Sequence, residues 1–337
     1  MNYQDYLDLS RPLVGKVCKS CPVCNGKACG AHMPGPGAKG SGTAAIRNYE
    51  AWQNIFVNMD TLTANGAVDT TLSIFGQSFR IPVFAGPVGA VNLHYGDSLN
   101  DNTYNEILVR GCKEAGIAAF TGDGVNPAIV EAAAKYIKAN GGIGVPTIKP
   151  WDEETYAGKL QLALDSGAFA IAMDIDAAGL PFLKGLTPPA GRKSVEELKR
   201  IIDRTPVPFI VKGVMTVEGA MKAKEAGAAA IVVSNHGGRV LDGVPATANV
   251  LEEIVEAVGE DMKIFVDGGI RSGLDVFKAL ALGADAVIIA RPFVNMVYGG
   301  QEAGIKALVD KLEAELKDTM EMCGAENLAS ISRSMVR

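Results

Sequence analysis

The sequence predicts an α/β protein, a (β/α)₈ barrel of the TIM type preceded by a cysteine-rich extension. Past residue 80, eight short apolar runs alternate with helical patterns, which is the order expected of parallel strands joined by helices. Several predicted helices end in Ala-Gly-Ala or Leu-Gly-Ala, where glycine supplies the left-handed residue that ends a helix. The 337 residues fit one large barrel. A doubly wound sheet is the alternative, but a count of eight strands favours closure.

The predicted strands are apolar runs without polar alternation, as expected of parallel strands that are buried on both faces. They are Ile81–Gly86, Ile117–Thr121, Gly142–Ile148, Ala170–Ile175, Pro208–Val211, Ala229–Val233, Ile264–Val266 and Ala286–Ala290. The helical patterns between them are Tyr104–Glu114, Pro127–Ala139, Glu153–Ser166, Ser194–Asp203, Val217–Ala226, Val250–Val258 and Leu274–Leu282. Residues 70–79 predict a hairpin that covers the bottom of the barrel. Residues 303–322 predict an amphipathic helix that packs outside it.

Composition and charge narrow the possible functions. We expect two regions, a Cys/Gly-rich extension over residues 1–46 and a barrel with its C-terminal helix over residues 47–337. The net charge of −6 argues against a nucleic-acid partner, because phosphate binding needs a basic face. The sequence contains no apolar run long enough to span a bilayer and no signal-peptide pattern, so we expect no membrane association and a cytoplasmic location.

Four of the six cysteines lie in one twelve-residue stretch of the extension. They are Cys18, Cys21, Cys24 and Cys29. In a cytosolic protein such spacing indicates a metal or iron–sulfur site more often than a disulfide framework. Redox-active thiols and merely reduced thiols remain alternatives, and His32 is close enough to compete as a ligand. The remaining two, Cys112 and Cys323, fall in helical patterns and are expected to be inert core thiols.

A histidine and an arginine follow the sixth predicted strand. The run Ala230–Val233 leads into Ser-Asn-His-Gly-Gly-Arg, which places His236 and Arg239 just beyond the buried strand. Catalytic residues of such barrels lie at this end of the strands, and histidine titrates near neutral pH. A loop histidine that caps a helix is the alternative interpretation.

The loops after the last two predicted strands carry a phosphate-site pattern. Gly268 and Gly269 offer backbone amides, Arg271 adds a guanidinium fork, and Arg291 follows the eighth strand. Barrel enzymes commonly bind phosphate groups here. The sequence therefore predicts a phosphorylated cofactor or substrate.

The segment from Pro208 to Arg291 contains VKG, VSNHGGRVLDGVPAT, DGGIRSG and LGADAVIIARPF. In these motifs the chain resembles the FMN-dependent 2-hydroxy-acid dehydrogenase and oxidase family, which includes glycolate oxidase, lactate oxidase and the flavin-type lactate dehydrogenase. The resemblance extends more weakly from about Arg47 to Met322. It implies an FMN-bearing barrel, a tetrameric or octameric homo-oligomer, and a small-molecule carboxylate as substrate.

The resemblance also implies residue roles. His236 would take a proton from the substrate carbinol as hydride passes to flavin N5, and Asp174 would hold the other imidazole nitrogen. Arg239 would bind the substrate carboxylate, and Lys212 would lie beside the flavin's pyrimidine edge. Together with the strand-end positions, it implies a cofactor site made by Pro87, Val88, Gly89, Thr121, Lys212, Ser234, Asp267, Gly268, Gly269, Arg271, Ala290 and Arg291.

Three departures from the family pattern concern the substrate. The second substrate arginine after the fourth strand is absent, the early tyrosine falls near Met33, and the Gln-x-Tyr of the third strand becomes Gly144–Pro146. A divergent FMN oxidoreductase acting on a 2-hydroxy acid or a related carbinol is the main interpretation. The alternatives are a Schiff-base lyase or aldolase that uses Lys212, and a flavin and metal electron-transfer protein. The alternatives for the electron acceptor are oxygen, a quinone, a ferredoxin and another flavoprotein.

Overall fold

The computed structural model describes residues 1–64 and 66–337. Two helices come first, α1 (Tyr3–Ser10) and α2 (Thr43–Gln53), and a hairpin follows, formed by β1 (Leu72–Ile74) and β2 (Gln77–Phe79). The predicted hairpin is thus confirmed. None of the described helices is long and apolar enough to cross a membrane.

Eight parallel strands form the barrel, one at each predicted apolar run. They are β3 (Val83–Ala85), β4 (Phe120–Thr121), β5 (Val145–Ile148), β6 (Ile171–Asp174), β7 (Phe209–Val214), β8 (Ala230–Val233), β9 (Lys263–Asp267) and β10 (Ala286–Ile289). The sheet runs in the order β3-β10-β9-β8-β7-β6-β5-β4. A parallel bridge between Ala85 and Ala119 joins the first strand to the last, with Ala85 N–H donating to the Ala118 carbonyl at 3.1 Å. The barrel is therefore closed, as predicted.

Helices connect the strands on the outside. They are α3 (Val91–Tyr95), α4 (Asp101–Glu114), α5 (Ala128–Ala139), α6 (Glu153–Asp165), α7 (Val195–Asp203), α8 (Val217–Glu225), α9 (Thr247–Val258), α10 (Gly273–Ala281) and α11 (Arg291–Met322). Side-chain caps begin several of them: Ser194 and Ser272 each form a capping box, which satisfies backbone N–H groups of the first turn. Gln301, with φ of 51°, interrupts α11, so the eighth barrel helix continues into the predicted outer helix.

Aromatic side chains fill the barrel interior. Phe84, Phe120 and Phe265 are almost fully buried and meet edge to face, with ring centroids 5.5 to 5.9 Å apart. Phe79 of the hairpin packs on Phe84 at 4.9 Å, and Phe75 stacks near Phe265. The hairpin thus closes the amino-terminal end of the barrel, and the opposite end remains available for a ligand.

Candidate active site

A cavity of about 400 Å³ opens at the carboxyl ends of the strands, which is a size suited to a cofactor or small ligand. Ten of the twelve predicted cofactor-site residues line it. They are Pro87, Val88, Gly89, Lys212, Asp267, Gly268, Gly269, Arg271, Ala290 and Arg291. Thr121 and Ser234 are buried and are not among the residues that line it. Ser234 acts locally, because its Oγ accepts a hydrogen bond from the backbone N–H of His236 at 3.1 Å.

His236 lines the cavity from a tight turn that follows β8. Its φ is +57° and that of Gly237 is +62°, a left-handed conformation that a non-glycine residue rarely adopts. Backbone strain of this kind costs about 1–3 kcal/mol and is concentrated at functional sites. The turn directs a titratable ring, with only 15% of its side chain exposed, toward the place where a ligand binds.

A second carboxylate, that of Asp176, lies closer to the His236 ring than the predicted Asp174 does. His236 Nδ1 lies 2.9 Å from Asp176 Oδ1 and 3.5 Å from Asp174 Oδ1, and only the shorter distance is within hydrogen-bonding range. The reason is the chain path. β6 ends at Asp174, and the 3₁₀ turn Ile175–Gly179 carries Asp176 back toward the imidazole. Nε2 of the ring is left for a ligand.

Asp174 also pairs with two lysines. Its Oδ1 accepts a hydrogen bond from Lys212 Nζ at 2.9 Å, and its Oδ2 lies 3.8 Å from Lys149 Nζ. Although burial opposes ionisation, His236 and Lys212 hold the pKa of Asp174 well below its ordinary value. Asp174 is therefore a charged member of a buried network, and its position across the β6–β7 ladder from Lys212 explains the pairing.

The pKa values of the other network members also shift. Burial alone lowers the pKa of His236, but Asp174 and then Asp176 outweigh that effect and raise it above its ordinary value. Burial raises the pKa of Asp176, against the opposing charges of His236 and Lys212. Burial likewise opposes the charge of Lys212, yet Asp174, Asp176 and Asp267 raise its pKa above the usual range. Lys212 is thus a fixed cation rather than a free amine.

Asp174, Asp176 and His236 also form the one set of three potential metal ligands within 4.8 Å of one another in residues 1–64 and 66–337. The ammonium of Lys212 already lies 2.9 Å from Asp174 Oδ1. A resident cation compensates these carboxylates, so the arrangement favours acid–base chemistry.

Arg239 lines the cavity and also holds the extension. Its Nη1 donates to the carbonyls of Gly35 and Gly37 at 2.6 and 2.9 Å. Both bonds come from Nη1. The Nε–H and Nη2–H groups have no acceptor among the described residues. Burial, and then the nearby charge of Arg291, lower the pKa of Arg239 to about 10, so the guanidinium stays charged and favours an anion.

The phosphate end of the cavity is built from β9 and β10. Gly268 and Gly269 both have φ near +90°, and a Cβ on Gly269 would come within 2.2 Å of the Asn48 carbonyl. Only glycine therefore fits this turn. Arg291 donates through Nη2 to the Gly237 carbonyl at 3.2 Å, and Arg271 donates through Nε to the Cys24 carbonyl at 2.7 Å. Both guanidinium groups reach the cavity wall.

The residues present fit FMN. The cavity joins a cationic, glycine-rich end, which suits a phosphate, to a floor of backbone and charged side chains, which suits a flat polar ring. Asp267, which lines the cavity, and the buried Thr121 each have an oxygen atom, Oδ1 and Oγ1, with no hydrogen-bond partner within the described part of the chain. Such atoms call for a ligand, because an unsatisfied buried acceptor costs about 1–3 kcal/mol.

Sequence reasoning missed His94 and a surrounding apolar wall. His94 lines the cavity, accepts a hydrogen bond from Gly35 N–H at 3.2 Å, and packs edge to face on Phe182 at 5.2 Å. Burial, and then Arg239, lower its pKa to about 3, so the ring is neutral. Its position in the short segment between the first barrel strand and α4, which the structure forms into α3, was the available signal. The apolar residues of this wall are Leu93, Val125, Leu180, Phe182, Leu183 and Leu186.

The four clustered cysteines lie in the extension, which is fixed over the same end of the barrel. All four are free thiols; Cys29 is buried, and the other three are partly exposed. In the structure of residues 1–64 and 66–337, no three of their sulfur atoms lie within 4.8 Å of one another. His32 is exposed. The metal or cluster site therefore stays a prediction, whereas burial of Cys112 and Cys323 is confirmed.

The family of this chain follows from a comparison with known proteins. Residues 35–182 and 187–337 match the family model described as FMN-dependent dehydrogenase. The chain belongs to this FMN-dependent dehydrogenase family. The match covers all eight barrel strands and every residue that lines the phosphate end of the cavity.

Similar curated proteins are 2-hydroxy-acid oxidases. The chain is 48% identical over 145 residues to a peroxisomal (S)-2-hydroxyacid oxidase of Arabidopsis thaliana, which covers 43% of this chain and 39% of that protein. It is 44% identical over 180 residues to glycolate oxidase 5 of Oryza sativa subsp. japonica, which covers 53% and 45%. The aligned region thus spans less than half the length of these relatives.

Solved structures of the family share the fold. A mandelate oxidase variant with (S)-mandelic acid superimposes with a TM-score of 0.80 at 26% identity, covering 100% of this chain and 97% of that one. A mutant flavocytochrome b2 with pyruvate bound gives a TM-score of 0.77 at 24% identity, covering 90% and 80%. The FMN-dependent dehydrogenase fold therefore extends over the full length of this chain.

Proposed function

We propose that this protein is an FMN-dependent oxidoreductase that oxidises a 2-hydroxy acid or a related carbinol, with His236 as the base. The observation that carries the proposal is the placement of His236 on the cavity wall, with Nδ1 hydrogen-bonded to the buried Asp176 at 2.9 Å. A carboxylate behind an imidazole fixes its tautomer and stabilises its protonated form. Membership of the FMN-dependent dehydrogenase family supports this assignment.

In this reaction the chain's own residues have separate roles. His236 Nε2 accepts the hydroxyl proton of the substrate, and Asp176 with Asp174 stabilises the imidazolium that results. Arg291, Arg271 and the amides of Gly268 and Gly269 would hold the FMN phosphate. When bound, FMN supplies the two-electron acceptor for the substrate's carbinol hydrogen.

The substrate that this cavity suits has an anionic group and an apolar body. Arg239 supplies a charged fork with free N–H groups, and Lys149 adds a second cation with only 13% of its side chain exposed. The apolar wall around Phe182 lines the same cavity. An aromatic or branched 2-hydroxy carboxylate matches both features, and (S)-mandelic acid, with which a structurally similar mandelate oxidase variant was solved, is of this class.

The lyase alternative is disfavoured by Lys212. A Schiff-base lysine must lose its proton to attack a carbonyl, whereas three carboxylates raise the pKa of Lys212. Its ion pair with Asp174 at 2.9 Å instead fits a fixed cation beside the cofactor. We propose a homo-oligomer, as the resemblance implied.

The test is His236→Ala, compared with His32→Ala as a control on an exposed histidine outside the cavity. Both variants should purify with FMN, since neither removes a phosphate contact. Under anaerobic conditions, aromatic 2-hydroxy acids should bleach the flavin of the wild type and of His32→Ala. His236→Ala should do so about 10²–10⁴-fold more slowly, which is the usual contribution of a general base. Unchanged bleaching in His236→Ala would remove the histidine from this role, and protein without FMN would overturn the proposal.

A further inference from the structure

Gly35 of the extension holds two side chains at the cavity. Its N–H donates to His94 Nδ1 at 3.2 Å, and its carbonyl accepts a hydrogen bond from Arg239 Nη1 at 2.6 Å. All three residues line the cavity. Because a residue spans at most about 3.6 Å, Nδ1 of His94 and Nη1 of Arg239 lie no more than about 9 Å apart. The two side chains are therefore neighbours at the cavity.

Gly35 itself is buried and closely surrounded. Its φ is +137°, and a Cβ at this position would lie 2.9 Å from the His32 carbonyl oxygen and 2.9 Å from Val17 Cγ1. Only glycine fits this place without moving its neighbours. The residue that joins His94 to Arg239 is thus fixed by its surroundings, and the two side chains keep a fixed spacing.

The hydrogen bond from Gly35 also decides which nitrogen of His94 carries the proton. Nδ1 accepts this bond and so has no hydrogen, which places the single N–H of the neutral ring on Nε2. Burial, and then Arg239 and Lys149, lower the pKa of His94 to about 3. The ring therefore stays neutral, and Nε2 acts as a hydrogen-bond donor throughout the physiological pH range.

Nε2 of His94 is accessible to a ligand. It donates to no acceptor in residues 1–64 and 66–337, and it is not one of the polar atoms in those residues that are both buried and unpaired. The ring borders the cavity and packs edge to face on Phe182, with centroids 5.2 Å apart. Contacts with Gly35 and Phe182 thus hold the ring in place and leave its N–H without a partner.

We propose that His94 is a further substrate-binding residue, whose Nε2–H donates to one carboxylate oxygen of the 2-hydroxy acid while the free N–H groups of Arg239 donate to the other. The inference rests on the proposed function, which supplies the carboxylate. A neutral donor beside a fixed cation adds a second strong hydrogen bond to the anion without adding a second charge. Because the same ring packs on Phe182, the apolar body of the acid would meet the apolar wall next to its carboxylate.

The proposal accounts for donors that the sequence lacks. The second substrate arginine and the early tyrosine of the family pattern are absent, which leaves the carboxylate with fewer partners. His94 supplies a donor from a different element, the helix α3 that follows the first barrel strand.

The experiment compares His94→Asn with His94→Gln in the FMN-loaded protein. The asparagine amide stands about where Nδ1 stands in histidine, so it keeps an acceptor for Gly35 N–H but does not reach the ligand. The glutamine amide stands about where Nε2 stands, so it keeps a donor for the ligand and loses the contact with Gly35. The probe is phenylglyoxylate, a 2-oxo acid with a carboxylate and an aromatic body but no carbinol hydrogen. Its dissociation constant is measured by calorimetry, and the FMN content and melting temperature of each variant show whether it folds.

We expect His94→Asn to bind phenylglyoxylate about 10- to 100-fold more weakly than the wild type, as for the loss of a hydrogen bond to a charged group. His94→Gln should bind it much as the wild type does, and so should His32→Asn, a control on an exposed histidine outside the cavity. Equal binding by the two His94 variants, or weaker binding by His94→Gln, would overturn the proposal, because a purely structural role requires only the contact with Gly35. If His94→Asn does not fold, His94→Phe takes its place, since phenylalanine keeps the packing on Phe182 and has no donor.

The probe separates this proposal from the proposed function. A wild type that binds phenylglyoxylate, but whose flavin is not reduced by 2-hydroxy acids, would contradict the proposed function alone. A wild type that is reduced by them, but whose binding of phenylglyoxylate does not depend on the donor at position 94, would contradict the role of His94 alone. No binding of phenylglyoxylate by the wild type would also overturn the role of His94.

Discussion

Replacing Asp176 by asparagine should slow flavin reduction far more than the same change at Asp174. Both carboxylates face His236, but their distances from Nδ1 are 2.9 and 3.5 Å. The two substitutions remove the same charge and keep nearly the same shape, so each is the matched control for the other. Comparing the two variants shows whether the imidazole needs a hydrogen bond to act as a base or only a nearby negative charge.

The magnitudes follow from the two distances. With an effective dielectric constant of about 20, a unit charge at 2.9 Å stabilises the imidazolium by about 6 kcal/mol, and one at 3.5 Å by about 5 kcal/mol, before desolvation. Charge alone therefore distinguishes the two carboxylates by only about 1 kcal/mol. The hydrogen bond distinguishes them more strongly, because 3.5 Å is outside its range. Loss of the bonded carboxylate behind a catalytic histidine can lower the rate by about 10⁴.

We expect Asp176→Asn to slow flavin reduction by about 10²–10⁴, and Asp174→Asn by roughly tenfold, which corresponds to about 1.4 kcal/mol. The assay is anaerobic stopped-flow reduction of the bound FMN by the best substrate, with the FMN content of each variant measured first. Asp174→Asn should also lower the free energy of unfolding by about 3–5 kcal/mol, because it leaves Lys212 and Lys149 without their shared partner. Equal losses of rate in both variants, or a greater loss in Asp174→Asn, would refute the reasoning.

Three further predictions concern the cofactor, the pH dependence and the substrate. Arg291→Ala should weaken FMN binding by about 2 kcal/mol or more, seen as colourless protein after gel filtration, whereas the exposed Arg204→Ala should stay yellow. The pKa of His236 is raised above 6.5 and the base acts when neutral, so flavin reduction should increase with pH through a midpoint above 6.5. Asp176→Asn should move that midpoint down. A midpoint below 6.5 in the wild type would contradict the effect of the two carboxylates on the imidazole. L-Lactate and glycolate should be poor substrates, because Arg239 stands alone where the family has a pair of arginines and each missing charge-assisted bond is worth about 1.5–3 kcal/mol. Saturation of the enzyme by either acid at ordinary metabolite concentrations would show this to be wrong.

The barrel could be predicted from the sequence because burial on both faces leaves little freedom in strand composition. Each of the eight apolar runs became a strand, and the ring of strand-end residues converged as expected for this fold. The hairpin was also predictable, because Phe75 and Gly76 lie between two short alternating runs. These features depend on local pattern alone.

The choice between Asp174 and Asp176 could not be made in this way. The family resemblance pointed to Asp174 alone, and strand alternation does not extend to Asp176, which lies in the turn beyond β6. The contact of Arg239 with Gly35 and Gly37 joins residues more than 200 positions apart. Periodicity carries no information about such contacts, so the two carbonyls that hold Arg239 became visible only in three dimensions.

The two hydrogen bonds from Arg239 to glycine carbonyls have a consequence for recognition of the substrate's anionic group in the proposed function. A free arginine side chain has about 2 kcal/mol of rotamer entropy, part of which is lost when it binds a ligand. Here that freedom is already lost when the chain folds, because Nη1 is held at 2.6 and 2.9 Å. The arginine is thus preorganised, and a carboxylate arriving at the remaining N–H groups meets a rigid receptor. A single rigid guanidinium can in this way offset part of what the missing second arginine would have contributed to affinity.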